Sequence, residues 1–213
     1  MLTLYDYLPS QNAWKVRQLL QHLQRPYRTE LVSIFEGEGR SEAYRRINPT
    51  GTVPAIRLDD GRVLSESSVI LFHLAEGSPY LPDDSFGRAK VLQWLSFEQE
   101  RVESQIGTLR FWTMTGKLPQ RAPQMIEARR AASRRALAIL ESELAVRNFV
   151  AGDRYGIADI AVFAYGSRAG EAGLSLQPYP CFRQWIARVE SQPGFLAQMH
   201  PYAIDPHASQ ELR

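Results

Sequence analysis

Ser10 stands at a turn, Pro9-Ser10-Gln11-Asn12, just ahead of a helical pattern. A hydroxyl there can cap the helix by accepting from the free amides of its first turn. It can also hydrogen-bond a thiolate, because the free amides and partial positive charge of a helix N-terminus favour an anion and lower a thiol's pKa. Asn12 offers an amide donor for the same task. A second feature is Asn48-Pro49-Thr50-Gly51-Thr52-Val53-Pro54, where a proline follows valine at the start of a strand. Such a proline lies at an edge or in a bend. A cis Val53–Pro54 bond would leave the Val53 amide and carbonyl free at an open sheet edge, where an extended peptide can pair. Third, Ser65-Glu66-Ser67-Ser68 opens a helix. Glu66 can accept from an ammonium, and the Ser67 hydroxyl and amide can hold a carboxylate. Taken singly, these are two helix caps and an ordinary strand proline. Taken together they describe a bound peptide: an α-amino-acid head on Glu66 and Ser67, a middle paired with Val53, and a thiol near Ser10.

The elements that must position these groups alternate in type. Leu2 to Tyr7 is rich in strand formers, and Val16, Leu19, Leu20 and Leu23 recur at i, i+3, i+4 and i+7, one apolar helical face. Tyr27 to Val32 reads as a second strand, Ser41 to Ile47 as a short helix and Val53 to Leu58 as a third strand. Asp59-Asp60-Gly61 signals a hairpin into a fourth strand, Arg62 to Leu64, and Ser65 to Ala75 carries a broadly apolar helix. The order β-α-β-α-β-β-α builds a small α/β sandwich. After Gly77 the Pro-rich run 78–84 marks a boundary, and no strand signal follows it. Helices are expected over Arg88 to Trp112, Gln124 to Val146, Ile157 to Ala172 and Pro180 to Ser191, with a short one near Gly194. The division expected is 1–77, a linker 78–87, and an all-helical 88–213. The tail from Pro201 has no periodicity and is expected to be loosely held.

Composition narrows the function classes. The chain has 213 residues, with 25 Lys+Arg against 23 Asp+Glu, and a net charge of +2 is too small to argue for nucleic acid or an anionic membrane. Its one cysteine, Cys181, excludes an internal disulfide framework, a cysteine-built zinc site and a CxxC redox pair. The four histidines are scattered without metal-ligand spacing, so no metal is expected. The start, Met1-Leu2-Thr3-Leu4-Tyr5, lacks a basic segment followed by a long apolar run, and no stretch approaches a membrane span, so a cytoplasmic protein is expected. Arg129, Arg130, Arg134 and Arg135 spread around a helix and read as solvated.

The order of these motifs along the chain resembles the soluble glutathione transferases, over nearly its whole length. The resemblance rests on Leu4-Tyr5 with Ser10, on 48–54, on Ser65-Glu66-Ser67, and on Asp153-Arg154-Tyr155-Gly156-Ile157-Ala158-Asp159. It implies a thioredoxin-like N-terminal domain and an all-helical C-terminal domain, with glutathione as co-substrate. Glutathione's γ-glutamyl group would lie on Glu66 and Ser67, its cysteinyl backbone on Val53 beside Thr52 and Pro54, and its glycyl carboxylate near Arg40. Ser10, helped by Asn12, would stabilise the thiolate. Tyr7, Leu8, Phe111, Trp112 and Met114 would line a pocket for a small electrophilic or disulfide second substrate. Asp159 would cap a buried helix as a structural residue, although Gly156 stands where relatives carry Ser or Thr. The resemblance also implies a homodimer, with Glu98, Gln99 and Arg101 as contacts between subunits.

The sequence departs from the pattern at two places. Relatives place Lys or Gln where this chain has Thr52, and theta-like members carry His where it has Gly39, next to Arg40. No cysteine stands near position 10, which excludes the cysteine-type branch, and Ser10-Gln11-Asn12 lacks the run of the zeta-type isomerases. The features are nearest the theta- and nu-type branches. Three readings stay open: conjugation of glutathione to an electrophile, glutathione-dependent reduction of disulfides or peroxides at the same site, and a non-catalytic scaffold.

Overall fold

The computed structural model describes residues 1–211. The chain divides into two compact units, one of Met1–Glu76 with the chain from Gly194 on, the other of Gly77–Pro193. The return of the tail to the first unit differs from the expected 88–213 domain.

In the first unit, β1 (Leu2–Asp6) is buried along its length because it lies between two neighbours in a sheet ordered β2-β1-β3-β4. It pairs parallel with β2 (Tyr27–Leu31) and antiparallel with β3 (Ala55–Arg57), which pairs antiparallel with β4 (Val63–Ser65). The edge strand β2 is correspondingly polar and half-exposed. Helix α1 (Gln11–His22) buries Val16, Leu19 and Leu20 as the periodicity requires, and packs against α3 (Ser67–Leu74). Helix α2 is a single turn, Glu42–Arg45, capped by the Ser41 hydroxyl accepting from the Tyr44 amide at 3.1 Å. This is the expected β-α-β-α-β-β-α order of a thioredoxin-like domain.

The tail is not loosely held. The Trp14 indole N–H donates to the Leu196 carbonyl at 3.1 Å, and Trp14 meets Phe195 edge to face. Gln18 grips the same segment twice, accepting from the Leu196 amide at 2.7 Å and donating to the Gly194 carbonyl at 3.1 Å. Tyr7 donates to Asp205 at 2.9 Å, and Ala208 is buried. The expected helix near Gly194 is absent; a 3₁₀ turn at Tyr202–Ile204 takes its place. Pattern reading missed this anchoring because the grip comes from polar and aromatic groups on α1, not from an apolar repeat in the tail.

The second unit is helical throughout. A continuous run comprises α4 (Ser85–Phe97), a π-helical stretch (Glu98–Gly107) and α5 (Thr108–Met114), longer at both ends than expected. Val102, Ile106 and Leu109 are fully buried along it. Helices α6 (Pro123–Leu144), α7 (Ile157–Gly166) and α8 (Pro180–Glu190) complete the unit. No helix among the described residues is long and apolar enough to cross a membrane.

Asp159 lies at the centre of this unit, fully buried in the first turn of α7. One carboxylate oxygen accepts from the Val150 amide at 3.0 Å and the Trp185 indole at 2.8 Å, the other from the Gly156 amide at 3.1 Å. The glycine at the cap follows from packing: a Cβ on Gly156 would stand 2.7 Å from the Tyr80 carbonyl oxygen. A side chain at this position has no room, and the side-chain part of the cap rests on Asp159.

Candidate functional site

The turn from β1 into α1 is built before its hydroxyl is placed. Asp6 is fully buried at the end of β1, and both its carboxylate oxygens accept from Arg17, at 2.9 and 2.7 Å. Burial pushes the Asp6 carboxyl up, and the Arg17 guanidinium opposes that shift. The same guanidinium donates to the Leu8 carbonyl at 2.9 Å, and the Ser10 amide donates to the Tyr7 carbonyl at 2.8 Å. Ser10 is left half-buried as the N-cap of α1, its oxygen accepting from the Ala13 amide at 3.2 Å. The hydroxyl proton has no acceptor among the described residues. A hydroxyl that accepts from a helix and keeps its own proton to donate suits an incoming anion.

Asn12 and Ser67 join the two helix N-termini. The Ser67 hydroxyl donates to the Asn12 amide oxygen at 3.3 Å, linking α1 to α3. Ser67 is buried, while Glu66 is exposed with φ +68° and ψ 113°. A non-glycine residue at positive φ is strained by about 1–3 kcal/mol, and such strain gathers at ligand clamps. Glu66 gives α3 no side-chain cap, so the first amides of that helix stay available to a carboxylate. The sequence pointed to these residues; the backbone strain was invisible in it.

The loop before β3 is fixed from within. Asn48 is fully buried and donates to the Thr52 carbonyl at 2.8 Å, as does the Tyr44 hydroxyl at the same distance. The Thr52 hydroxyl lies 2.7 Å from that of Thr50. Thr52 thus serves the loop through its carbonyl. Val53 is half-buried, and the Val53–Pro54 bond is cis. Gly39 explains the missing histidine: a Cβ there would run into the Gly51 carbonyl oxygen, and one on Gly51, at φ +70°, into that of Gly39. Two backbones pass where a side chain cannot fit. Arg40, the next residue, is exposed and has no ion pair among the described residues. We expect Gly39→Ala to separate these loops and cost about 1–3 kcal/mol by overpacking. Urea unfolding checks this, and an unchanged midpoint would contradict the close packing.

Tyr5 and Tyr7, the rival hydroxyls on β1, are poor thiolate partners. Both are buried. Burial, then the hydrogen bond to Asp205, pushes the Tyr7 phenol well above its ordinary range. Burial and the Glu30 carboxylate push Tyr5 up. The Tyr7 proton already goes to Asp205, whereas that of Ser10 is uncommitted.

The residues expected to line a second pocket divide between the units. Tyr7 and Leu8 line a cavity of about 320 Å³ within the first unit. In the second unit Trp112 is buried, with the guanidinium groups of Arg121 and Arg129 over its ring at 5.3 and 5.2 Å. The Lys117 ammonium stands 4.4 Å above Phe111, and Met114 is exposed. Arg129 is therefore not simply solvated: it also donates to the Ser104 carbonyl at 2.6 Å. The spacing of the arginines along α6 carried no sign of the tryptophan beneath one of them. No group of three or more histidine, cysteine or carboxylate side chains suited to a metal occurs among the described residues.

Comparison with known proteins places this geometry. Residues 9–76 match the model of the glutathione S-transferase N-terminal domain, and residues 102–193 that of the C-terminal domain. A glutathione S-transferase structure from Pseudomonas fluorescens is 35% identical, with a TM-score of 0.89 over 92% of this chain and 97% of that one. A glutathione transferase from Burkholderia graminis, solved with two glutathione molecules bound per subunit, is 29% identical, with a TM-score of 0.77 over 91% of this chain and 85% of that one. Disulfide-bond oxidoreductase YfcG of Escherichia coli is 29% identical over 91% of this chain and 92% of its own length.

Proposed function

The chain belongs to the glutathione S-transferase family, and from that premise we propose that it binds glutathione in the first unit and conjugates it to a small electrophile. The observation that carries the reading is the uncommitted Ser10 hydroxyl at the N-terminus of α1, with Asn12 hydrogen-bonded to Ser67. Glutathione lies extended, its γ-glutamyl ammonium on Glu66 and its γ-glutamyl carboxylate on the free backbone amides of α3 from Ser67 on. Its cysteinyl backbone pairs with Val53, and its glycyl carboxylate lies near Arg40. The thiol gives its proton to solvent, and Ser10 donates to the resulting thiolate. The sulfur then attacks an electrophilic carbon; a carbon–sulfur bond forms as the leaving group departs with its electron pair. Tyr7 and Leu8 line the first unit's part of the second-substrate pocket in this reading. We also take the enzyme to be a cytoplasmic homodimer that needs no metal.

A second reading keeps the site and turns the thiolate on a disulfide or peroxide. The similarity to a disulfide-bond oxidoreductase favours it. Disulfide reduction that survives Ser10→Ala and is lost in Asn12→Ala would select it over conjugation.

Calorimetric titration with glutathione tests the binding site. Removing a charge-assisted hydrogen bond in Glu66→Ala should weaken binding by roughly 10- to 100-fold. Wild-type protein that fails to bind glutathione would overturn the proposal.

A further inference from the structure

Residues 194–211 lie beyond both family-model matches, yet four of them, 204–207, form one wall of the cavity beside the Ser10 turn. The opposite walls are Tyr7, Leu8 and Pro9 from that turn, and Leu31, Val32, Ser33 and Glu36 from the end of β2 and the loop after it. The tail adds Ile204, Asp205, Pro206 and His207. The cavity, about 320 Å³, is walled mainly by apolar groups, and its size suits a molecule of about one ring.

Its charge is one-sided. Asp205 and Glu36 contribute two carboxylates against one imidazole, His207. Asp205 accepts from Tyr7 through one oxygen and from the His207 amide, at 2.8 Å, through the other. The His207 ring lies 3.6 Å from Glu36. The Asp205 carboxylate is thus fixed in place, and with Glu36 it keeps the lining net negative in either charge state of the imidazole. A charge-lined cleft concentrates ligands of opposite sign and repels those of like sign.

We propose that this cavity is the second-substrate subsite of the enzyme, and that it accepts compact apolar molecules that are cationic or neutral and rejects anions. The inference rests on the reading of Ser10 as the thiolate partner, since Ser10 directly follows Pro9, which lines the cavity. The specificity is set by a tail that neither family match includes.

Ligand-observed NMR at pH 8 tests the proposal without glutathione. The probes are benzyltrimethylammonium, benzyl alcohol and benzoate. The wild-type chain should bind the first two, with the cation favoured over benzoate about fivefold or more. Ile204 and Leu31 line the cavity but are 49% and 60% exposed, so Ile204→Lys and Leu31→Lys should fold normally. Each should abolish the preference for the cation. Benzoate binding as tightly as the cation, or probe affinities unchanged in both variants, would overturn the proposal. Wild-type protein that binds glutathione but none of the probes would overturn it while leaving the glutathione site standing. The expected probe selectivity in a chain that fails to bind glutathione would support the cavity and sink the reading of Ser10.

Discussion

Asp159→Ala should lower the unfolding free energy by about 3–9 kcal/mol, because two buried and one half-buried N–H donors lose the one acceptor they have among the described residues, at about 1–3 kcal/mol each. Those donors are the Val150 and Gly156 amides and the Trp185 indole, and they tie the loop before α7, the start of α7 and α8 to one carboxylate. A loss of that size rivals the whole stability of an ordinary domain. Urea unfolding should show the midpoint falling sharply, or the variant failing to accumulate folded. A change below about 1 kcal/mol would contradict the structural role. Titration supplies a second signature. Burial pushes the Asp159 carboxyl up to about 6, against donors that favour its charged form. The folded state therefore holds this proton more tightly than the unfolded chain does. The contribution of Asp159 to stability is greatest below about pH 4 and is lost as pH rises through about 6. Wild type should accordingly gain on Asp159→Asn as pH falls from 7 to 5. A gap between the two that is independent of pH would count against the shift.

Ser10→Ala should reduce kcat/KM for conjugation by about 50- to 100-fold near pH 6.5. A thiol held at a pKa of about 6–7 is about a quarter to three-quarters ionised there; returned to about 8.5–9 it is about 0.3–1% ionised. The deficit should narrow to a few-fold above pH 9, where the free thiol ionises unaided. That pH signature separates thiolate stabilisation from structural damage, since losing the cap bond to Ala13 should cost only about 1 kcal/mol of stability at every pH. Rates measured from pH 6 to 9.5 decide the point, and an equal deficit across the range would contradict the assignment.

The first unit was largely legible because its chemistry sits on local signals. The serine before α1, the hairpin at 59–61 and the Glu66-Ser67 helix start are each written in a few adjacent residues. What the sequence concealed depends on groups far apart in the chain. Gly39 reads as a gap in the family pattern until Gly51 is seen to occupy the space of its side chain. Gly156 reads as a lost cap until the Tyr80 carbonyl oxygen is found where a Cβ would stand. The tail carries no periodicity, and only the indole of Trp14, the amide of Gln18 and the phenol of Tyr7 reveal that it is anchored. Arg129 reads as one of four surface cations until Trp112 is found beneath it. In each case a side-chain or backbone partner more than ten residues away set the outcome, and no local pattern encodes such a partner.

The central claim is that Ser10 holds glutathione as a thiolate. The most direct measurement is the ultraviolet absorbance of the thiolate on adding glutathione to the protein across pH, in wild type and in Ser10→Ala. A bound thiolate titrating near pH 6–7 in wild type and shifted to the ordinary thiol range in the variant is the predicted result. A thiolate signal unchanged in Ser10→Ala would contradict the claim and move the role to Asn12 or the backbone amides of α1.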